Sequence, residues 1–193
     1  LFREMEFRKL LADLGPSEDL PAATAKGNVR EVTTIRTKKE LADLRKSLEK
    51  AQRLTIRVEL GEGSPVSAPL IGLSLCAEEG SVRYIPMGHE TLDAGDQLAA
   101  GDVMDALRDV LEDKGVEKWS HNVKELFILL RRHGVRLRGL GGDTMIASYL
   151  LNPNRGGHEL EEIAGDIAGA PLESLKEVAG KGATSLASVD VER

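Results

Sequence analysis

Cys76 is the only cysteine in the chain, so no internal disulfide forms and no cysteine-based zinc site is available. There is no basic excess either: 26 Lys and Arg stand against 32 Asp and Glu, a net charge of −6. A free-standing DNA-binding domain carries the opposite balance, so contact with nucleic acid here requires a local basic patch or a basic neighbour. No apolar run approaches the roughly 18 residues that cross a bilayer, which excludes an integral membrane protein built on apolar helices. The opening residues, LFREMEFRKLLADLG, are charged and helical in pattern, unlike a signal peptide. With the lone cysteine, this leads us to expect a cytoplasmic location. Internal repeats and low-complexity tracts are missing as well. What remains is 193 residues, 41% hydrophobic and 30% charged, enough for one domain with a buried core and unlike a disordered acidic tail.

The pattern along the chain is that of an α/β domain behind a short arm. Leu1, Met5, Leu10, Leu11 and Leu14 recur on one face of a helix over residues 1–14, and Gly15-Pro16 ends it. Residues 16–31 carry two prolines and a glycine with few large apolar side chains, and read as a linker. The arm is therefore assigned to residues 1–31 and the globular body to 32–193. Val32 to Ile35 reads as a short strand. Thr37-Lys-Lys-Glu40 is a capping box opening a helix with Leu41, Leu44 and Leu48 on one face, running to about Gln52. In RLTIRVEL, residues 53–60, Leu54, Ile56, Val58 and Leu60 alternate with Thr55, Arg57 and Glu59, a strand with one apolar and one polar face. Two more strands, Leu70 to Cys76 and Ser81 to Ile85, flank a hairpin at Glu78-Glu79-Gly80.

Val103, Met104, Leu107, Val110 and Leu111 then mark a helix stopping at Gly115, and Glu117 to Ser120 a short strand. Asn122 is positioned to cap a helix bearing Leu126, Phe127, Leu129 and Leu130 and ended by Gly134. Gly141-Gly142 reads as a turn, and Asp143 as the cap of a helix with Met145, Ile146, Tyr149 and Leu150, closed by Asn152-Pro153. Leu160, Ile163, Ala164 and Ile167 mark a further helix, with a short one following from Pro171. The order, three consecutive strands and then helices alternating with a strand, predicts a mixed sheet rather than a doubly wound one.

Several segments together resemble the proofreading domain of bacterial DNA polymerase I. They are Leu70-Ile-Gly-Leu-Ser74, Tyr84-Ile-Pro-Met-Gly-His89, Leu92-Asp-Ala-Gly-Asp-Gln97, Leu137-Arg-Gly139, Asp143-Thr-Met-Ile-Ala-Ser-Tyr-Leu-Leu-Asn-Pro153 and Gly180-Lys-Gly182. Their order and spacing fit that family from about Val32 onward, and Leu1-Phe-Arg-Glu-Met-Glu-Phe7 is similar to the segment that leaves the preceding 5′-nuclease region. As a set they are specific; singly each is weak. The resemblance implies a ribonuclease-H-like α/β fold with a mixed central sheet flanked by helices. It implies a parent DNA-directed DNA polymerase acting in DNA replication and repair, a nucleotidyltransferase, with a 5′-nuclease region before this chain and a polymerase domain after it. DNA would then be the partner in the context of the full polymerase, and no membrane would be involved.

The family's 3′-5′ exonuclease uses two divalent metals held by four carboxylates, with a tyrosine polarising the attacking water. Two metals stabilise the attacking and leaving oxygens, and clustered carboxylates neutralise the metals. The first motif, Asp-x-Glu on a central strand, here reads Arg57-Val58-Glu59. Residues two apart on a strand share a face. The Glu is kept, but the Asp has become a permanent cation with no lone pair for a metal. The second motif, Asn-x-x-x-Asp, reads Asn122-Val-Lys-Glu-Leu126, with the Asn kept and the carboxylate replaced by leucine. The third, Tyr-x-x-x-Asp, has no match, since Pro153 stands four residues after Tyr149. By the family's spacing this motif, with the C-terminal part of the family domain, is expected beyond Arg193.

These replacements lead us to expect a vestigial, structural exonuclease domain with no active catalytic residue, Glu59 being the one retained ligand candidate and no cofactor being required. The alternative is an active metal-dependent 3′-5′ proofreading exonuclease acting on single-stranded DNA 3′ ends with Mg or Mn. A protein-interaction module unrelated to DNA is a third reading. Glu59 is expected to pair with Arg57 on the strand face. Glu125, one residue round the helix from Leu126, is expected to point away. His89 and His121 match no metal spacing, and Cys76 is expected to be an inert core thiol. The densest basic patch, Arg131-Arg132-His133 with Arg136 and Arg138, suits either a DNA backbone or a solvated helix end.

Overall fold

The computed structural model describes residues 31–91, 94–167, 172–173, 177–178 and 186–191. The expected helix over residues 1–14, the linker up to residue 30 and most of the short helix from Pro171 lie outside the described residues. Among these residues the elements are β1 (Glu31–Thr34), α1 (Lys38–Leu48), β2 (Arg53–Leu60), β3 (Leu70–Glu78), β4 (Ser81–Pro86), α2 (Ala100–Glu112), β5 (Glu117–Ser120), α3 (Val123–Arg132), β6 (Leu140–Asp143), α4 (Thr144–Leu151), α5 (Leu160–Ile167) and a 3₁₀ turn, Leu186–Ser188. The six strands form one mixed sheet in the order β1-β4-β3-β2-β5-β6. The β2-β3 and β3-β4 pairs are antiparallel; β1-β4, β2-β5 and β5-β6 are parallel.

The period-two pattern of β2 decides which face is the core. Leu54 and Ile56 are buried with Leu73 and Leu75 of β3 and Ile85 of β4. The same cluster holds Leu41, Leu44 and Leu48 of α1, five apolar residues of α2 from Val103 to Leu111, and Leu126, Leu129 and Leu130 of α3. Thr55, Arg57 and Glu59 project to the opposite face, beside Cys76, Ser74 and Gly72 of β3 respectively. Cys76 follows this alternation: it sits half-exposed on the polar face with Sγ 3.1 Å from the Glu78 carbonyl, which corrects its expected place in the core.

Local chemistry starts and stops the helices. The capping box opens α1 as read: Thr37 Oγ1 accepts from the Glu40 amide at 3.2 Å and Glu40 accepts from the Thr37 amide at 2.9 Å. Bonds from the Arg36 and Thr37 amides also hold the Glu40 carboxyl below its ordinary pKa. The chain leaves α2 after Glu112, and Asp113 is already extended, so this helix ends before Gly115. Gly134, at φ +70°, supplies the left-handed residue after α3.

The expected turn at Gly141-Gly142 is instead the edge strand β6. Its two glycines lie under Trp119 of β5, where a Cβ would stand 2.4 Å from the indole at either position. The large ring occupies the space that side chains on β6 would take, and this contact overrides the turn preference of a glycine pair.

One core position is occupied by a cation. Lys118 of β5 faces the apolar side next to Leu54, is 0% exposed, and donates from Nζ to the Asp113 carbonyl beyond the end of α2. Burial lowers its pKa, opposed by the Asp113 carboxylate. The sign follows: a lowered pKa means that the folded state disfavours the charged form, so folding is penalised below the folded pKa and the penalty fades as pH rises towards 10.5. We expect Lys118→Met to be most favourable relative to the wild type near neutral pH. The wild type should gain on it as pH approaches 10.5, measured as the difference in urea midpoints across a pH series. A pH-independent difference would contradict this account.

Candidate functional site

The polar face of β2 places Arg57 and Glu59 side by side at the centre of the sheet. Arg57 Nε donates to Glu59 Oε1 at 2.6 Å, with the side chains 34% and 19% exposed. Glu59 is opposite Gly72, so β3 places no side chain directly across from it. The phenol of Tyr84 fills the space over that glycine; a Cβ there would stand 2.1 Å from the phenolic oxygen. Burial, and secondarily the negative charge of Glu59, raises the Tyr84 pKa well above its ordinary value. The protonated phenol donates to His89 Nε2 at 2.6 Å, and His89 Nδ1 donates to the Val189 carbonyl at 2.8 Å. With the Glu90 amide bonded to the Ala187 carbonyl, this ties the 3₁₀ turn across the polar face. His89 thus has a positioning role that its spacing did not reveal.

A cleft of about 340 Å³ opens beside this pair. It is lined by Arg57 and Glu59 of β2, His121 and Asn122 at the end of β5, Glu125 of α3, and Glu159 and Glu161 around the start of α5. Leu126, by contrast, is 1% exposed in the hydrophobic core. The helix is rotated so that Leu126, Leu129 and Leu130 face inward, which turns Glu125 into the cleft and corrects the expectation that it points away. Phe127, grouped with the apolar residues of that helix in the sequence, is 49% exposed.

Asn122 differs from its expected role as well. It is left-handed, φ +59° and ψ +62°, and its side chain makes no capping bond. Asp143 takes over. Its Oδ1 accepts from the Asn122 amide at 3.1 Å and its Oδ2 from the Val123 amide at 2.8 Å, while Oδ1 also accepts from Met145 and Ile146 at the start of α4. One carboxylate therefore caps two helices. His121, beside it, bonds Thr144 Oγ1 through Nδ1 at 3.0 Å. Its pKa is lowered, first by burial; Asp143 opposes this, Arg57 adds to it, and Glu159 and Glu161 oppose it. His121 Nε2 and Asn122 Oδ1 are buried without a hydrogen-bond partner.

The model of the family described as DNA polymerase I, ribonuclease H-like domain matches residues 56–190. The chain belongs to this family. Among relatives, the DNA polymerase I of Pseudomonas aeruginosa is 28% identical over 96% of this chain and 21% of its own length. That of Chloroflexus aurantiacus is 30% identical over 84% of this chain and 17% of its own. The chain thus spans about a fifth of the length of the curated relatives it matches. Of solved structures, the POL domain of Pol1 from M. smegmatis, in complex with DNA primer-template and dNTP, is 25% identical with a TM-score of 0.59. It is matched over 73% of this chain and 23% of that one. The ribonuclease D of Escherichia coli shares the fold alone, at 17% identity and a TM-score of 0.57 over 74% of this chain and 35% of that one. The ribonuclease-H-like fold and the membership in the 3′-5′ exonuclease domains of DNA polymerase I, expected from the motifs, both hold.

Measured against the two metals that the family uses, the donor set at this site does not fit. Arg57 engages the remaining strand carboxylate, Leu126 has left the site for the core, and no group of three or more His, Cys, Asp or Glu among the described residues is placed to hold a metal ion. No helix among the described residues is long and apolar enough to cross a membrane. In the basic patch, Arg132 is committed to the loop before β3, bonding the Pro65 and Ala68 carbonyls at 3.0 and 2.8 Å.

Proposed function

We propose that this domain is the 3′-5′ exonuclease-like part of a DNA polymerase I in which proofreading chemistry has been lost, kept as a structural element of a polymerase that acts in replication and repair. The observation that carries this reading is the 2.6 Å bond between Arg57 and Glu59 on the strand face where the family places its metal-binding carboxylates. Among the described residues that line the cleft, Arg57 is the one guanidinium, and it is spent on Glu59 rather than left free for a phosphodiester. DNA then meets the domain only as part of the whole polymerase, between a 5′-nuclease region on its N-terminal side and a polymerase domain on its C-terminal side.

A second reading, an active exonuclease with altered ligands, is favoured by one observation: Glu125 lines the cleft next to the position that lost its carboxylate. The two readings separate on a primer with a mismatched, labelled 3′ terminus. It should be offered with millimolar Mg²⁺ or Mn²⁺ to this chain and to the whole polymerase that contains it. We expect the mismatch to persist with both. Progressive, metal-dependent shortening from the 3′ end would overturn the vestigial reading in favour of the second.

A further inference from the structure

We infer that Arg57 is a built-in counter-ion: its guanidinium takes the electrostatic place of the divalent metals in the carboxylate cleft and makes the folding of this face independent of any cation from solution. This rests on the vestigial reading and goes beyond loss of activity, because it assigns the replacing residue a positive role.

Glu59 is mostly buried, and a buried carboxylate requires a compensating charge or donors. Gly72 across the strand provides no side chain, and the Tyr84 phenol above it is directed to His89. Arg57 reaches Glu59 along its own strand, Nε donating to Oε1 at 2.6 Å, and a bond from a guanidinium to a carboxylate is charge-assisted. The charge is also felt across the cleft: the pKa of His121, just after β5, is lowered first by burial and opposed by Asp143, with Arg57 adding to the lowering and Glu159 and Glu161 acting in the opposite sense. A cation fixed among Glu59, Glu125, Glu159 and Glu161 would polarise the cleft in the same way, but the guanidinium is covalently part of the chain and never dissociates. A neutral residue at position 57 would leave Glu59 uncompensated, and an Asp would place two carboxylates on one strand face, the arrangement in which an external divalent cation becomes favourable.

The test is thermal melting of the wild type, Arg57→Gln, Arg57→Asp and the double variant Arg57→Gln/Glu59→Gln, each in chelator and in millimolar Mg²⁺ at matched ionic strength. Manganese binding is followed by electron paramagnetic resonance. Wild-type Tm should be the same with and without Mg²⁺. Arg57→Gln should melt roughly 3 °C lower and Arg57→Asp roughly twice as far below. Mg²⁺ should return part of the loss in Arg57→Asp, since a ligand that binds only the folded state stabilises it. The double variant should recover to within about 1 °C of the wild type and ignore Mg²⁺. If Arg57→Asp does not fold, Arg57→Gln and the double variant carry the test alone. Single variants that melt like the wild type would overturn the inference. So would a double variant as unstable as Arg57→Gln, which would make Arg57 a packing residue. These outcomes are independent of the primer assay, so a catalytically silent domain without a counter-ion role would be recognised as such.

Discussion

Replacing Leu126 with Asp, which restores the wording of the family's second motif, is expected to unfold the domain rather than rebuild a metal ligand. Leu126 is 1% exposed and belongs to the core cluster with Leu129 and Leu130 on α3 and Leu54 and Ile56 on β2. Removing a buried leucine side chain costs about 2–5 kcal/mol on its own. A carboxylate in its place adds the cost of burying a polar group without partners, met partly by taking up a proton. We expect a loss of about 4 kcal/mol or more, a fall in Tm of roughly 10 °C or more for a chain of this size. Urea denaturation at pH 7 and pH 4.5 gives the signature. Leu126→Asp should recover part of its deficit relative to Leu126→Ala at the lower pH, where the acid is more readily neutral. Leu126→Asp with near wild-type stability and Mg²⁺-dependent melting would mean that residue 126 still reaches the cleft, and the account of the α3 rotation would be wrong.

The same residue shows what was legible in the sequence and what was not. The 3.6-residue spacing that marks α3 as a helix already sets Leu126 in line with Leu129 and Leu130, so its place in the core follows from periodicity. The orientation of Glu125 does not, because it depends on how α3 is rotated over β2. The alternation in RLTIRVEL puts Arg57 and Glu59 on one shared face, since a strand has only two faces. Some family motifs turn out to record backbone constraints rather than chemistry. Gly139, within Leu137-Arg-Gly139, has φ +68°, and a Cβ there would stand 2.4 Å from the Val116 carbonyl oxygen. What escaped the sequence came from long-range contacts. Trp119 turned a glycine pair into strand β6, Lys118 was drawn into the core by a strand register, and the Asn122 cap was displaced by a residue 21 positions away.

That displacement yields the second large effect. Asp143 was readable as the cap of α4, and the structure adds the N-terminus of α3 to the same carboxylate, with bonds of 2.8 to 3.3 Å to four amides. An ordinary cap is worth about 1 kcal/mol, and each helix end also gains from negative charge at its positive pole. Two ends served at once, in a half-buried position, give an expected cost of about 2–4 kcal/mol for Asp143→Ala. Asp143→Asn separates the two functions. An amide oxygen in the place of Oδ1 would still accept from Met145 and Ile146, but the amide nitrogen in the place of Oδ2 would face the Val123 N–H, donor against donor. The Asn variant should therefore keep α4 and fray the start of α3, the segment that carries Asn122 and Glu125 to the cleft. Amide hydrogen exchange resolves the difference: in Asp143→Asn, Val123 and its neighbours should lose protection while Met145 and Ile146 retain theirs. Equal loss at both helices would mean that the carboxylate acts through its charge alone. No loss at Val123 would remove Asp143 from the positioning of the cleft.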